Sequence, residues 1–404
     1  MDMFWEKLGW QFEDKHLAAL EQAPFRREFP SIDTSRAPAL YILRGPRQIG
    51  KSSWLKTLLL QYPAPTKAFY ISCENIENHQ ELAVLLRSIR TTRSLILLDE
   101  VSFVKDWSRA VKHEIDSGYK GVMIVTGSHA SDLRLGADLM PGRFGLGREV
   151  VLRPMDFTEF VHCRKLAGWP TATRADLLKI YFQTGGMPAA VAEKGEAGGV
   201  PERALDTYER WLVGDATRCG KRKAFLQGLM SQLAVCLSTP VSLQTLAKKT
   251  EIGSHHTVQD YIHFLEDSFA LRVCYALDPD TGASRFRKEK KFYFTDPIIY
   301  WIAIRMGGLP VPPAWEAQMA EMIGFEELAR RAAEAHHSFG YLATTNGEVD
   351  FFSPKRWAIE LKWSEAAHNL SKAYQRLLIP EKFVWTKTNF LEEWPAGMKD
   401  GVII

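Results

Sequence analysis

Three apolar runs punctuate the first third of the chain: Ala39–Leu43, Leu95–Leu98 and Gly121–Thr126. Each is hydrophobic almost without interruption, the pattern of a parallel strand covered on both faces. Between the first two, Ser53–Leu60 reads as a helix. Strand and helix patterns alternate over residues 1–155, which predicts a parallel α/β sheet with helices on both faces. Residues 156–215 read as all-helical, with a break at Gly185-Gly186-Met187-Pro188. In residues 216–305, Pro240–Thr250 has Leu243, Leu246 and Ala247 on one helical face. Glu251-Ile252-Gly253 is the turn, with Gly253 expected to supply the special backbone, and Ser254 caps a second helix, His255–Leu265. Leu271–Tyr275 and Lys291–Phe294 then form a ribbon, completing a winged helix. Met306–Pro313 is a Gly/Pro-rich linker, and residues 310–404 return to a helix followed by strands.

The first strand runs into Gly45-Pro46-Arg47-Gln48-Ile49-Gly50-Lys51-Ser52, which fits G-x-x-x-x-G-K-[ST] at every fixed position. Strand, glycine-rich loop and helix are the context of a phosphate-binding P-loop. Backbone N–H groups from Gly45 to Ser53 would cradle the phosphates of ATP, Lys51 would reach the β- and γ-phosphates, and the Ser52 hydroxyl would hold Mg²⁺. Leu95–Leu98 ends in Asp99 and Glu100. Ligands gather at the carboxyl ends of such strands. Asp99 is therefore the second Mg²⁺ ligand, and Glu100 the residue that orients and deprotonates the attacking water. Thr126 and Ser128, at the end of the third strand, are candidates to sense the γ-phosphate; Ser128 reads equally as a helix cap.

Composition narrows the class. The chain has 404 residues, 46% hydrophobic and 25% charged, the balance of a globular protein with room for two to four domains. No run approaches the length of a membrane-spanning helix. The start, Met1-Asp2-Met3-Phe4-Trp5-Glu6, lacks a basic segment ahead of an apolar core and does not read as a secretory signal. Five scattered cysteines suggest neither a zinc site nor a disulfide framework, so a cytoplasmic protein with reduced thiols is expected. A net charge of +3 does not by itself argue for nucleic acid.

Charge distribution is more telling. The ribbon connection carries Arg285, Arg287, Lys288, Lys290 and Lys291, a basic wing. With Thr257, Gln259 or His256 on the second helix it predicts duplex DNA as a partner. Asp260, Glu266 and Asp267 on that helix oppose this, and the domain reads also as a packing or subunit-contact element. Further on, Gly347–Phe352 and Trp357–Lys362 read as two strands of a hairpin. Alternation places Glu360 and Lys362 on one face, and Asp350 is expected to join them around one point. Two carboxylates and an ammonium suit metal-dependent phosphodiester cleavage, with Glu326, or failing it Glu327, completing the metal shell. The same residues read also as ordinary charge on an edge strand.

Taken in order, these motifs resemble a bacterial and archaeal family of AAA-type P-loop ATPases that carry a C-terminal domain of unknown function with a restriction-endonuclease-like fold. The P-loop, Leu95–Glu100, Thr126-Gly127-Ser128, Gly142-Arg143, Leu152–Phe160, Gly185–Pro188, Lys291–Asp296, Glu348–Phe351 and Ile359–Lys362 carry the resemblance, over nearly the whole chain. It implies ATP and Mg²⁺ as ligands and four parts: a P-loop core over 1–155, a helical lid over 156–215, a winged helix over 216–305 and a nuclease-like domain over 310–404. It also implies that Arg143, with Arg148 as the neighbouring alternative, is a finger acting on a γ-phosphate, in this chain or in a second copy within a homo-oligomer. The function expected is an ATPase coupled to a DNA-handling, candidate nuclease module. The alternative is a slow nucleotide switch that binds a protein partner, with the nuclease-like domain an inert scaffold. No membrane partner is expected.

Overall fold

The computed structural model describes residues 10–127, 130–334, 338–364 and 369–388. The chain divides into two compact units. One holds residues 1–154, 162–168 and 267–269; the other holds the rest. The second unit therefore contains most of the last three expected blocks.

The first unit is built on α1 (Lys15–Gln22), β1 (Ala39–Arg44), α2 (Lys51–Gln61), β2 (Ala68–Ser72), α3 (His79–Ile89), β3 (Leu95–Asp99), α4 (Trp107–Asp116), β4 (Val122–Thr126), α5 (Ala130–Asp138) and β5 (Glu149–Val151). The strands form one parallel sheet in the order β2-β3-β4-β1-β5. Strands β3 and β4 are buried at every position, which is why they read as unbroken apolar runs. Leu40, Ile42, Phe69, Ile96, Leu98, Met123 and Val125 form the core with Leu82, Leu86, Trp107 and Val111 of α3 and α4. Because β4 lies between β1 and β3, its carboxyl end is flanked by the P-loop strand and the acid-bearing strand.

The second unit contains α6 (Phe157–Leu166, in part), α7 (Arg174–Thr184), α8 (Pro188–Lys194), α9 (Glu202–Arg218), α10 (Lys223–Val235), α11 (Leu243–Lys249), α12 (His255–Asp267), β6 (Leu271–Tyr275), β7 (Lys290–Phe294), α13 (Pro297–Gly307), α14 (Trp315–Glu334), β8 (Gly340–Thr344), β9 (Gly347–Ser353), β10 (Trp357–Lys362), α15 (Lys372–Arg376) and β11 (Glu381–Thr386). Strands β6 and β7 pair antiparallel, and the others form a sheet ordered β11-β10-β9-β8. The α11–α12 turn differs from expectation in one respect. Glu251, at φ +55°, supplies the left-handed residue, and Gly253 does not. Ser242 and Ser254 both cap as their sequence positions suggest.

The Gly185-Gly186 break has a packing cause. A Cβ at Gly185 would strike the Asp296 carboxylate, and one at Gly186 would strike the Met155 backbone. Asp296 accepts the Gly186 N–H at 2.7 Å and caps α13 through Ile298 N–H at 2.9 Å. Burial pushes its carboxyl up to about 7, against those two hydrogen bonds. The folded state thus holds a proton the unfolded state has already lost, and stability falls as pH rises from about 4 to about 7. Asp296→Asn should narrow the difference in urea midpoint between pH 5 and pH 7.5; an unaltered difference would show that Asp296 contributes none of it. No helix among the described residues is long and apolar enough to cross a membrane.

Candidate nucleotide site and C-terminal acids

The loop after β1 needs unusual backbone at three points: Gly45 (φ +150°), Gln48 (φ +56°) and Gly50 (φ +100°). A Cβ at Gly45 would strike the Leu152 carbonyl. At Gly50 it would rest 3.4 Å from Phe29, whose ring stacks on Trp54 of α2 at 5.8 Å. Ile49, 1% exposed, anchors the loop in the core. Helix α2 begins at Lys51, so its N-terminal N–H groups open onto the loop. The Lys51 ammonium donates to the carbonyls of Gly45 (2.9 Å) and Pro46 (2.8 Å), folded over the cradle it would share with phosphates.

Beneath the loop, Asp99 is 3% exposed. Burial raises its pKa, while hydrogen bonds from the Ser52 and Tyr70 hydroxyls oppose that rise. Tyr70 donates to Oδ2 at 2.8 Å, and the Glu100 N–H donates to Oδ1 at 3.0 Å. Ser52 and Asp99, the two expected Mg²⁺ ligands, are therefore in contact. They offer hard oxygen donors in a buried setting that lacks positive charge enough to keep Asp99 at an ordinary pKa, and this fits Mg²⁺. Glu100 follows at φ +52°, an uncommon conformation for a side chain of its kind, at the carboxyl end of β3. Thr126 ends β4, pairing in register with Leu43 of β1. Its hydroxyl is fully buried and has no hydrogen-bond partner among the described residues. Ser128, the other sensor candidate, lies outside the described residues.

Sequence reasoning missed Tyr70 and a second network beside it. Lys56 of α2 bonds Asp14 (2.5 Å) and His16 Nδ1 (2.8 Å) and lies 5.3 Å over the Tyr70 ring. Asp14 also caps α1, which pins α1 to α2 close to Asp99. An Asp ahead of a helix was a legible cap; its long-range cation was not.

Arg143 stands away from the P-loop of its own chain. Its guanidinium grips Asp116 at 2.8 and 3.1 Å, at the end of α4. Phe144, the next residue, accepts the N–H of Leu40 at the start of β1. The P-loop leaves the far end of β1, roughly 17 Å away over six residues. Arg143 therefore does not face the phosphate cradle of its own chain. Arg148 is exposed beside β1, where its carbonyl accepts the N–H of Ile42.

The basic wing is also reduced. Arg285 is paired with Asp278 at 2.6 Å, Lys290 donates to the carbonyls of Phe286 and Lys288, and Lys291 is fully buried. Arg287 and Lys288 are exposed.

The C-terminal acids do not converge. Between Gly340↔Phe352 and Leu342↔Val349, strand β9 advances one residue more than β8, a bulge at Asp350-Phe351. Both side chains of the bulge turn to the α14 side, where Phe351 meets Phe325 and Tyr293. Glu360 follows Ala358 onto the other face, which packs on α15. There Glu360 accepts Ser371 N–H (3.1 Å) and pairs with Lys362 at 2.9 Å. Simple alternation overlooked the bulge and so put Asp350 beside Glu360. Glu326 is held by Arg272 and Arg330, and Glu327 by Arg331. The α14 acid that does meet the neighbourhood of Asp350 is Glu321. Glu321, Glu348 and Asp350 each stand 3.1 Å from Lys291 Nζ. Burial lifts Glu321 to about 7, with Lys291 opposing, and the three carboxylates hold Lys291 protonated. An ammonium thus occupies the point a metal ion would need. Among the described residues no group of three or more His, Cys, Asp or Glu stands ready to hold one.

Residues 37–161 match the family described as an AAA domain, and residues 175–308 match a domain of unknown function (DUF8612). No curated protein matches the chain. Among solved structures, it is similar to a Walker-type ATPase of Pyrococcus abyssi, at 13% identity over 75% of this chain and 95% of that one, with a TM-score of 0.42. It is similar also to the Aeropyrum pernix ORC2 protein in ADPNP and ADP complexes, at 10% identity over 72% of this chain and 89% of that one (TM-score 0.40). A third is the Aeropyrum pernix ORC1 protein in complex with DNA, at 12% identity over 66% and 87% (TM-score 0.28). The segment 37–161 thus matches an AAA domain, and its P-loop, its buried strand-end aspartate and its parallel sheet are in keeping with that match.

Proposed function

We propose that this chain is a Mg²⁺-dependent ATP hydrolase whose C-terminal sheet is a scaffold that does not cleave nucleic acid. The contact between Ser52 and the buried, cation-seeking Asp99 under the P-loop carries the first half of this reading. Lys51 and the loop N–H groups from Gly45 to Ser53 bind the β- and γ-phosphates. Ser52 and Asp99 would hold Mg²⁺, which when bound neutralises charge on the phosphate oxygens. Glu100 accepts a proton from the attacking water, and the Thr126 hydroxyl, without a hydrogen-bond partner among the described residues, donates to the γ-phosphate. The barrier falls through positioning and charge neutralisation. ATP turnover measured with and without Mg²⁺ tests this. ATP binding with negligible turnover would leave the nucleotide-switch reading in its place.

The second half rests on Lys291 at the centre of three carboxylates, and on the separation of Asp350 from Glu360. Mg²⁺-dependent nicking of DNA that is lost on Glu360→Ala would overturn it and restore Asp350, Glu360 and Lys362 as a catalytic set. Duplex DNA stays a candidate partner through the exposed side of α12, where His256, Gln259 and His263 lie open, and through exposed Lys248 and Lys249 of α11. ATP turnover raised by duplex DNA would support that partner.

Arg143, set apart from its own P-loop, acts on nucleotide only in a neighbouring copy. Turnover per chain should then rise with protein concentration, and mixing Arg143→Ala with Lys51→Ala protein should restore part of the activity each lacks. Concentration-independent turnover, unaltered in Arg143→Ala, would leave this arginine as the partner of Asp116 and nothing more.

A further inference from the structure

The second unit contains a cavity of ≈ 230 Å³ between α7, the start of α14 and the ends of β10 and β11. It lies just below the range of about 300–1,000 Å³ for sites that take drug-sized ligands, so it suits a single small ring system with one polar appendage. Its chemistry is uneven. Phe182 and Trp363 make an aromatic wall, ring centroids 5.7 Å apart. Lys179 and Lys387 line it, and neither has an ion pair or side-chain hydrogen bond among the described residues. The two acids that line it differ. Asp176 is exposed to solvent and accepts the Thr173 hydroxyl through Oδ2 at 2.6 Å within its own helix start. Glu316 accepts Trp363 Nε1–H through Oε2 at 3.3 Å, and its Oε1 has no hydrogen bond among the described residues. An aromatic face, two ammonium groups without counter-ions and a spare carboxylate oxygen therefore surround one small space.

We propose that this cavity binds a nucleoside 5′-monophosphate unit whose base carries an exocyclic amine. The base stacks on Trp363, as bases do on aromatic platforms. Lys179 and Lys387 pair with the phosphate, and Glu316 Oε1 accepts a hydrogen bond from the amine. The last contact gives a preference: adenine or cytosine over thymine, whose carbonyls would face a carboxylate. Phosphate recognition by paired ammonium groups and ring stacking are separable, so each can be removed alone. The unit has the same chemistry whether it is supplied free or as part of a single strand.

Equilibrium dialysis of the full chain with dAMP and dTMP tests the site, with hexadeoxyadenylate as a second probe. Saturable dAMP binding, tighter than dTMP, is expected. The Lys179→Ala/Lys387→Ala double variant should weaken it by about tenfold or more. Both side chains lack partners among the described residues, so this variant should melt as the parent does. Glu316→Gln should shrink the dAMP-over-dTMP preference. Lys51→Ala should leave dAMP binding as it is, because a monophosphate lacks the groups that Lys51 contacts. Binding of the hexamer at least as tight as dAMP assigns the source to a single strand, and dAMP binding without hexamer binding assigns it to free nucleotide. No saturable binding of either probe, retained binding in the double lysine variant, or loss on Lys51→Ala would each overturn the proposal.

Discussion

Lys51→Ala is expected to abolish ATP binding, and Glu100→Gln to preserve binding while turnover falls by about 10²–10⁴-fold. The two substitutions attack different steps. Lys51 is a buried cation over the loop, already bonded to two of the loop's carbonyls. Without it, phosphates would enter a cradle of N–H dipoles with no buried positive charge from the loop. Glu100 is placed differently. It stands one residue beyond Asp99, with its N–H on the Asp99 carboxylate and its backbone in the left-handed region. That conformation falls at the carboxyl end of β3, and in the proposed mechanism Glu100 takes the proton of the attacking water there. A glutamine there has the same shape and keeps an acceptor oxygen, but it does not take up a proton at neutral pH. Filter binding of labelled ATP, beside phosphate release, separates the two. Parental turnover in Glu100→Gln would mean that another group activates the water, and parental ATP affinity in Lys51→Ala would remove the lysine from phosphate binding.

The nucleotide site was legible in the sequence because its signals are local. A P-loop is eight consecutive residues, and its strand and helix are its immediate neighbours. Asp99 and Glu100 sit at the end of a run whose burial on both faces is written as Leu-Ile-Leu-Leu. Thr126 could be named from its strand end, but its unpartnered hydroxyl depends on β4 lying between β1 and β3, an order no local pattern reveals. That Arg143 stands away from its own P-loop was hidden for a related reason. Its number follows β4, yet the chain has by then returned along α5 to the opposite end of the strands, and its partner Asp116 comes from another helix. The basic wing failed through pairing. Five cations in seven positions look like a patch, but Asp278, two carbonyls and an acidic trio around the buried Lys291 take up three of them. The C-terminal acids failed through one inserted residue. Period-two alternation holds along β10 and breaks in β9, and a single bulge sends Asp350 to the other face.

Lys291→Met is expected to destabilise the second unit by about 3–5 kcal/mol, the cost of stripping the partner from buried charge. Lys291 is 0% exposed and is the shared cation of Glu321, Glu348 and Asp350. Tyr293 adds a donor to Glu321 at 2.7 Å, and the Tyr341 ring lies 5.7 Å from the ammonium. With the lysine gone, three carboxylates face one another across a space the methionine fills with sulfur and carbon. Glu321, already raised by burial, answers by taking up a proton, so its folded-state pKa moves further above that of the unfolded chain. Such a group binds more protons folded than unfolded, so the loss should be largest at pH 8 and smaller at pH 5, where protonation relieves the repulsion. Adding Glu321→Gln to Lys291→Met should therefore recover part of the stability at pH 8 and little at pH 5, a coupling that a double-mutant cycle in urea isolates. In Lys291→Ala the vacated point is also open to a divalent ion, and Mn²⁺ should raise the melting temperature of that variant without moving the parent's. A loss that is the same at both pH values, with no coupling to Glu321 and no response to Mn²⁺, would mean that Lys291 contributes packing alone. The C-terminal sheet would then need another reason for lacking a metal centre.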